Sequence, residues 1–324
     1  MKKVVALLAA VLVAAPFAGC GGGGAEPGAP KRATLVLDFQ PNAVHAGIYA
    51  ALREGYYGDA GIDLDVREPS ASTDAPKLLE AGRAQFAILD IHDLGIARER
   101  GLDVVGVAPL VSRPLAAVIA ADREQVRRPR DLEGSQVGVT GLPSDDAVLD
   151  SVVSADGGDP AAVRRVTIGF QAVASLAAGR VAAATAFWNA EGVELRRQGI
   201  PIRIFRVDDY GAPRYPELVL CTTRKMIDAD PDLVRSMVDA TARGYSLAVD
   251  RPAVALDDLI SGASGLDRDE QQAQLHALLG AHALPQSSRF DRAALVAWSH
   301  WDALHGILQR PLDVRAAFPP IGRR

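Results

Sequence analysis

The sequence predicts an α/β protein made of two similar lobes and a helical C-terminal tail. Apolar, β-rich runs alternate with helical runs over residues 33–207, an alternation typical of open, mostly parallel sheets. Residues 79–87 also resemble residues 176–184, because each segment joins a helix end, a glycine, an arginine and a strand. The offset of 176 − 79 = 97 residues is the size of a lobe rather than of a solenoid repeat. We therefore expect two lobes with one cleft between them.

The predicted elements follow this alternation along the chain. Apolar runs predict strands at 33–38, 62–66, 84–89, 104–109 and 115–120. Helices are predicted between the first four of these strands, at 46–53, 75–81 and 93–100. Each of these helices ends near a glycine, namely Gly55, Gly82 and Gly101. After the polar stretch 122–133, a second set predicts strands at 136–140, 166–168, 182–187 and 202–207, and helices at 144–154 and 172–178.

The tail is predominantly helical. From residue 217 an apolar strand is followed by helical segments at 231–249, 252–261, 268–279 and 292–308. A tail of this length packs most simply on the first lobe, so that the chain crosses the hinge twice. The predicted boundaries are 33–117 plus 218–324 for lobe 1 and 118–217 for lobe 2.

The first residues are typical of a processing signal. Lys2 and Lys3 precede an apolar run of sixteen residues, which is short for a helix that spans a bilayer core of about 30 Å. The run ends in Phe17-Ala18-Gly19-Cys20, which resembles the lipobox of bacterial lipoproteins. We expect cleavage after residue 19, a lipid on Cys20 that holds the protein at the extracytoplasmic face of a bacterial membrane, and a flexible tether over 20–32. Secretion with a free Cys20 is the alternative.

Composition and motifs exclude several classes of function. The formal charge is 35 − 40 = −5, and an acidic surface repels phosphate backbones, so nucleic acid is not an expected partner. The four tail histidines have spacings that make no metal site: His276, His282, His300 and His305. A P-loop, a zinc-protease helix and a nucleophile elbow are all absent from the sequence. We expect neither a metal nor a cofactor, and we expect a monomer.

Several motifs together resemble a known family. The chain is similar to the extracytoplasmic binding proteins for thiamin pyrimidine precursors, which serve ABC importers and are related to the sulfonate-, taurine- and nitrate-binding proteins. Segments such as Gly55-Tyr56-Tyr57 mark only this broad group, whereas P-N-x-x-H at 41–45 and W-N-x-E-G at 188–192 are specific. The resemblance implies a two-lobe, venus-flytrap fold of type II with two hinge crossings. It also implies a lipid-anchored receptor that closes on a small heterocycle and docks on an ABC permease.

A pyrimidine site needs stacking faces and a hydrogen-bonding edge. Trp188, in the loop after the strand 182–187, is the predicted stacking residue, with burial in the lobe core as the alternative. Phe39 follows the first strand and is expected either to stack from lobe 1 or to join its core. Glu191 is the predicted carboxylate for the exocyclic amine, unless it is a solvated surface acid.

Polar residues after other strands complete the predicted site. Asn42 and His45 offer donors and acceptors near the first strand, although a histidine at a helix start is often a local cap partner. At the next strand end, Asp93 is expected to be the helix N-cap, which leaves Asp90 and His92 as the pair that faces the ligand. The N–H groups that open the helix 144–154 attract polar atoms, whereas Asp145 disfavours a strongly anionic ligand. The full set of predicted ligand-binding residues is Asp38, Phe39, Asn42, His45, Asp90, His92, Ser144, Asp145, Trp188, Asn189, Glu191 and Tyr215.

Two classes of function remain open at this point. A receptor needs no chemistry, and its ligand is a hydroxymethyl- or formylamino-pyrimidine, with riboflavin or another flat heterocycle, or a sulfonate such as taurine, as alternatives. The fungal pyrimidine synthases of the thiamin pathway share the fold and form the enzyme alternative. Their cysteine-rich iron segment has no counterpart around 215–223, where Cys221 stands alone. The sequence therefore favours a receptor over an enzyme.

Overall fold

The computed structural model describes residues 29–69, 74–122 and 126–321. The predicted signal peptide, the lipid site Cys20 and most of the tether lie outside these ranges. Strand β1 begins at Lys31, two residues before the predicted start of lobe 1, because Lys31 already pairs with Ile62 of the neighbouring strand. Among the described residues, none of the helices is both long enough and apolar enough to cross a membrane.

The described strands form two five-stranded sheets. The first sheet has the order β2-β1-β3-β10-β4 and the second has the order β7-β6-β8-β5-β9. In each sheet a single strand runs against its two neighbours, β10 in the first and β5 in the second, and the remaining pairings are parallel. The strands are β1 Lys31–Val36, β2 Ile62–Arg67, β3 Phe86–Asp90, β4 Val104–Val111, β5 Ala116–Ala121, β6 Gln136–Val139, β7 Arg164–Thr167, β8 Ala183–Phe187, β9 Ile202–Arg206 and β10 Leu218–Thr223.

Helices cover the sheets and form the C-terminal tail. They are α1 Ala46–Arg53, α2 Tyr56–Asp59, α3 Asp74–Glu80, α4 Ile91–Glu99, α5 Pro143–Ala155, α6 Ala172–Ala177, α7 Glu191–Arg197, α8 Arg224–Ala229, α9 Pro231–Asp250, α10 Pro252–Gly262, α11 Arg268–Gly280, α12 Arg292–Leu304 and α13 Val314–Ala317. Helix α12 ends four residues earlier than predicted because the chain turns at Gly306, whose φ of 74° is left-handed. Helix α4 begins at Ile91 with Asp90 as its N-cap, so Asp93 is not the cap.

The two lobes repeat one topology, and we call the first sheet with its helices lobe 1 and the second lobe 2. The strand orders correspond one to one, with β3 equivalent to β8 and β1 equivalent to β6. The helix before β3 and the helix before β8 both end at a left-handed glycine, Gly82 with φ 65° and Gly179 with φ 67°. A side chain at either position would be strained, which explains why the sequence echo includes a glycine.

The chain crosses between the sheets twice, between β4 and β5 and between β9 and β10. The first crossing lies before Ala116, which already pairs with Phe187, so the predicted boundary between residues 117 and 118 falls inside β5. The two crossings are tied together, because Leu115 N–H donates to Glu217 Oε2 at 2.7 Å. Arg113 Nε likewise donates to Asp208 Oδ2 at 2.7 Å. The hinge is therefore a hydrogen-bonded pair of segments rather than two independent linkers.

The tail packs mainly on lobe 1. Helices α1 and α9 approach so closely that a Cβ on Gly244 would lie 2.0 Å from the carbonyl oxygen of Gly47. Helix α12 also reaches lobe 2, since Trp301 Nε1 donates to Ser151 Oγ at 3.2 Å. The tail thus supports the first lobe and contacts the second beside the hinge.

Candidate functional site

Two adjoining cavities lie between the lobes and share Phe170, Phe187 and Glu191 in their walls. The first, the hinge compartment, has a volume of about 690 Å³ and is lined at its hinge side by Asp90, Glu217, Ala116 and Ala117. The second, the α11 compartment, has a volume of about 1290 Å³ and is bordered by the loop after β1 and by helix α11. Both volumes include the open mouth of the cleft, so the two compartments are accessible from solvent.

A buried ion pair supports the hinge compartment. His92 lines the cavity, and its Nδ1 lies 2.9 Å from Asp302 Oδ2 while its Nε2 lies 3.2 Å from the Tyr215 hydroxyl. Burial alone would lower the pKa of His92, but the negative charges of Asp302 and Asp90 outweigh it and raise that pKa to about 10. His92 is therefore a cation at neutral pH, donating from both ring nitrogens. Trp298 Nε1, at 3.3 Å from Nδ1, is then a close neighbour rather than a hydrogen-bond donor.

Two carboxyl groups meet at the hinge side of this compartment. Glu217 is buried and shares a hydrogen bond with Asp90, and burial followed by the charge of Asp90 raises the pKa of Glu217 to about 8. Asp90 also accepts a hydrogen bond from the His92 backbone N–H at 2.7 Å. The pair consequently shares a proton at neutral pH, and the carboxyl oxygens that lie outside their mutual hydrogen bond can accept from a donor in the cavity.

On the lobe 2 side, one carboxylate organises the loop between β6 and α5. Asp145 accepts hydrogen bonds from Gly141 N–H at 2.9 Å and from Leu142 N–H at 3.1 Å, and it also accepts from two hydroxyls, those of Thr140 and Thr185. These four donors are neutral and belong to the protein itself. Asp145 therefore holds this part of the cavity wall in place, and Thr140, Thr185 and Ser144 line the cavity beside it.

The loop after β1 is closed by its own hydrogen bonds. His45 is fully buried, its Nδ1 accepts from Asn42 N–H at 3.1 Å, and its Nε2 donates to Asp38 Oδ1 at 2.8 Å. Asn42 caps the following turn through Val44 N–H at 3.0 Å, and its amide nitrogen donates to Gln40 O at 3.1 Å. His45 thus has no ring nitrogen left for a ligand, and it orients Asp38 at the wall of the α11 compartment instead.

Exposed aromatic rings face each other across the cleft. Phe39 of lobe 1 and Phe170 of lobe 2 are 51% and 70% exposed, and their ring centroids lie 6.4 Å apart. Phe187, at the end of β8, is also partly exposed and lines both compartments. Exposed phenylalanines gathered on a concave surface favour a flat apolar ligand, since the rings gain contact area on binding.

Trp188 does not contribute to this surface. Its side chain is 1% exposed, its indole N–H donates to Pro114 O at 2.9 Å, and the guanidinium of Arg206 lies 4.1 Å from its ring centroid. These contacts hold the ring in the hinge, outside the walls of both compartments. Trp188 is thus buried in the alternative way that the sequence allowed, and the aromatic rings exposed at the cleft include those of Phe39, Phe170 and Phe187.

The chain resembles proteins that bind or make pyrimidines. Residues 42–255 match the family described as "NMT1/THI5 like". The chain belongs to the NMT1/THI5-like family. It is 30% identical to the formylaminopyrimidine-binding protein of Halalkalibacterium halodurans, over 98% of both chains. It is 23% identical to the 4-amino-5-hydroxymethyl-2-methylpyrimidine phosphate synthase of Legionella pneumophila, over 80% of this chain and 81% of that protein.

Solved structures support the fold. The periplasmic aliphatic sulphonate binding protein SsuA from Escherichia coli superposes with a TM-score of 0.72 at 13% identity, covering 90% of this chain and 98% of that one. A sequence identity this low shows that the two proteins share a fold, and nothing more. The NMT1/THI5-like chain thus has the predicted two-lobe periplasmic-binding-protein fold.

The structure brings most of the predicted site residues of this NMT1/THI5-like chain to the two compartments. The residues that line them are Asp38, Phe39, Asn42, Asp90, His92, Ser144, Asp145, Asn189 and Glu191. His45, Trp188 and Tyr215 are buried beside the site instead, and Tyr215 acts through its contact with His92. Glu191 accepts from Phe187 N–H at 3.0 Å, and burial raises its pKa.

In the hinge compartment, sequence reasoning missed five polar or aromatic lining residues: Thr140, Phe170, Thr185, Phe187 and Glu217. It also missed the polar residues that line the α11 compartment from the α7 and α11 side: Glu194, Asp267, Glu270, Gln271 and Gln274. The first four residues of the hinge compartment lie in, or just after, strands β6, β7 and β8, at the carboxyl ends where α/β ligands bind. Glu217 immediately precedes β10 at the second hinge crossing. The rule that ligands bind at the carboxyl ends of strands therefore points to these four residues of the hinge compartment. It does not point to Glu217, which precedes the amino end of β10.

Proposed function

We propose that this protein is the solute-binding component of an ABC importer, and that it captures a pyrimidine of the thiamin-precursor type between its lobes. A hydroxymethyl- or formylamino-pyrimidine enters the open cleft, the lobes close around it, and the closed form delivers it to a permease. The relatives that bind or make pyrimidines support this ligand class.

The observation that carries the proposal is the pairing of chemistry in the cleft. An aminopyrimidine has flat apolar faces and an edge on which a ring nitrogen accepts beside an amine that donates. A carboxyl oxygen of the Glu217–Asp90 pair can accept from the amine, and the hydroxyl of Ser144, which lines the same compartment, can donate to the ring nitrogen. Phe170 and Phe187 supply apolar faces in the same compartment.

Binding without chemistry is part of the proposal. Cys221, the cysteine among the described residues, is fully buried in β10, and burial raises the pKa of its thiol. The His45 ring is likewise committed to Asn42 and Asp38. These contacts support a receptor over a synthase that uses such groups.

The remaining features of the proposal concern the whole chain. We propose lobe boundaries close to 33–117 plus 218–324 and 118–217, with the first crossing moved to residues 112–115. We further propose cleavage after residue 19, a lipid on Cys20 and a monomeric receptor at the extracytoplasmic face of the membrane. Incorporation of a labelled lipid precursor in cells tests the anchor, because the label should disappear in Cys20→Ala.

A thermal-shift screen of the purified full-length chain tests the function. The panel is 4-amino-5-hydroxymethyl-2-methylpyrimidine, its formylamino counterpart, riboflavin, taurine and nitrate. A ligand at about 100 times its dissociation constant stabilises the folded state by about 2.7 kcal/mol. We expect a rise in melting temperature with the pyrimidines only. A rise only with riboflavin, taurine or nitrate would contradict the pyrimidine assignment while preserving the receptor role.

Two variants connect the screen to the site. Glu191→Gln removes a carboxylate from the wall shared by both compartments and should weaken the pyrimidine by more than it weakens any other compound that binds. Leu304→Ala removes an exposed apolar side chain that lines neither compartment and serves as the control. Equal losses in Glu191→Gln for all compounds would contradict a role for this carboxylate in recognition.

A further inference from the structure

The α11 compartment is strongly acidic. Its walls include five carboxyl side chains, and its lining within the described part of the chain contains neither lysine nor arginine. The five are Asp38, Glu191, Glu194, Asp267 and Glu270. Arg197 pairs with Asp267 at 3.2 Å from outside the lining, which leaves the other four without an arginine partner among the described contacts. Partial burial and the charge of Glu194 raise the pKa of Glu270, as expected where carboxylates crowd.

Three buried amide side chains line the same compartment. Asn189 is 1% exposed, and Gln271 and Gln274 are each 4% exposed. The side-chain carbonyl oxygens of all three have no hydrogen-bond partner within the described residues. A buried acceptor without a donor is costly, so such groups are normally satisfied by water or ligand.

The amide oxygens and the carboxylates would both be satisfied by a ligand group that donates hydrogen bonds. Every polar group described above is an acceptor or can present one, and Gln274 spends its own amide N–H on Glu270 at 2.8 Å. A sulfonate, phosphate or carboxylate would be repelled by the carboxylates there. An ammonium group carries three donors and a positive charge, which matches the acceptors in number and the carboxylates in sign.

We propose that the α11 compartment is a second subsite of the cleft, which binds a positively charged ammonium substituent on the flat ring held against the hinge compartment. This inference rests on the proposed function and adds to its ligand class the pyrimidines whose ring carries an ammonium substituent. The shared wall of Glu191, Phe170 and Phe187 lets one ligand reach both compartments.

Two probes of equal size test the subsite on the full-length chain by isothermal titration calorimetry. 4-Amino-5-aminomethyl-2-methylpyrimidine carries an ammonium group at neutral pH, and 4-amino-5-hydroxymethyl-2-methylpyrimidine is its neutral counterpart. We expect the ammonium compound to bind about tenfold more tightly, as charge-assisted hydrogen bonds exceed neutral ones. Equal affinity, or preference for the neutral compound, would overturn the subsite and leave the proposed function standing. If neither compound binds, the subsite is overturned, and if the formylamino-pyrimidine also fails to bind, the proposed function fails with it.

Matched variants on α11 test whether the preference for the ammonium compound originates in the α11 compartment. Glu270→Gln and Gln271→Leu should each reduce the affinity ratio of the two probes to about threefold or less. Asp269→Asn and Gln272→Leu change exposed neighbours that do not line the compartment and should leave the ratio unchanged. Because the readout is a ratio, a general loss of stability does not imitate the effect. An unchanged ratio in Glu270→Gln and Gln271→Leu would overturn the assignment to this compartment.

Discussion

The two lobes repeat one strand order but bring different chemistry to the cleft. At the end of β3 in lobe 1 stands Asp90, next to the charged His92 and the protonated Glu217. At the equivalent position 97 residues later, the end of β8 in lobe 2, stands the partly exposed ring of Phe187. At these equivalent strand ends, lobe 1 therefore supplies a buried titratable network and lobe 2 supplies an apolar face, while Phe39 adds a further exposed ring from lobe 1. The repeated topology brings equivalent strand ends of both lobes to the same cleft, whichever residues they carry. Each lobe can therefore contribute a different half of one recognition site.

The largest effect should come from the buried cation of lobe 1. His92→Leu leaves the carboxylate of Asp302 buried without its partner, which should lower the free energy of unfolding by about 3–5 kcal/mol. Urea unfolding measures this change. The double variant His92→Leu/Asp302→Leu should lose less than the sum of the two single variants, since it removes both charges together. A loss below about 1 kcal/mol in His92→Leu would contradict the ion pair.

The pH dependence of stability should also originate in lobe 1. The pKa of His92 is raised to about 10, so the folded state keeps a proton that the unfolded chain loses above about 6.5. The pKa of Glu217 is raised to about 8, so the folded state likewise keeps a proton that the unfolded chain loses above about 4.5. Each proton held only by the folded state lowers stability by about 1.4 kcal/mol per unit increase in pH.

Stability should therefore fall as the pH rises from about 5 to about 10. Unfolding curves at several pH values measure the slope. Glu217→Gln should flatten it between pH 5 and 8, and His276→Gln, which removes an exposed histidine on α11, is the control. A slope that is the same in Glu217→Gln and in the unaltered chain would show that Glu217 holds no extra proton.

The hydrogen bonds that hydroxyl groups donate to Asp145 in lobe 2 should have a smaller effect on stability. Thr185→Val keeps the side-chain shape but removes the hydroxyl that donates to Asp145 Oδ1 at 2.8 Å. Because the acceptor is a charged group, the loss should be about 1.5–3 kcal/mol. Thr222→Val, which removes a buried hydroxyl donating to the backbone oxygen of Gln85 at 2.7 Å, is the matched control in lobe 1 and should cost about 1 kcal/mol. A larger loss in Thr222→Val than in Thr185→Val would contradict the role of Asp145 as an anchor of the loop.

Much of this architecture can be predicted from the sequence. The alternation of strands and helices, the echo of Gly82 and Gly179, and the tail helices depend on local periodicity and on glycine at left-handed positions. Motif resemblance predicted the family. The first residue of a helix was harder to predict. At α4, for example, Asp90 and Asp93 are both suitable N-caps, and only the extension of β3 to Asp90 decides between them.

The direction of side chains beyond the strand ends could not be predicted in the same way. Trp188 and Phe187 are adjacent, and which of them faces the cleft depends on the hydrogen bond from Trp188 to Pro114 in a segment 74 residues away. Phe170 follows Gly169, whose left-handed φ of 58° turns the chain toward the cleft. His45 fits a ligand-binding pattern and a capping pattern equally well, and its burial decides for the second.

The smallest effects should come from the exposed rings. Phe39→Ala and Phe170→Ala should each weaken pyrimidine binding by about 0.5–1.5 kcal/mol, because each removes one aromatic face from the cleft. Neither should change the free energy of unfolding by more than about 0.5 kcal/mol, since the rings are exposed in the free protein. Calorimetric titration and urea unfolding separate the two quantities. If the lobes differ as described, Phe170→Ala weakens binding and leaves the free energy of unfolding unchanged. His92→Leu, in contrast, mainly lowers the free energy of unfolding. A loss of stability in Phe170→Ala comparable to that in His92→Leu would remove the distinction between a binding face in lobe 2 and a supporting network in lobe 1.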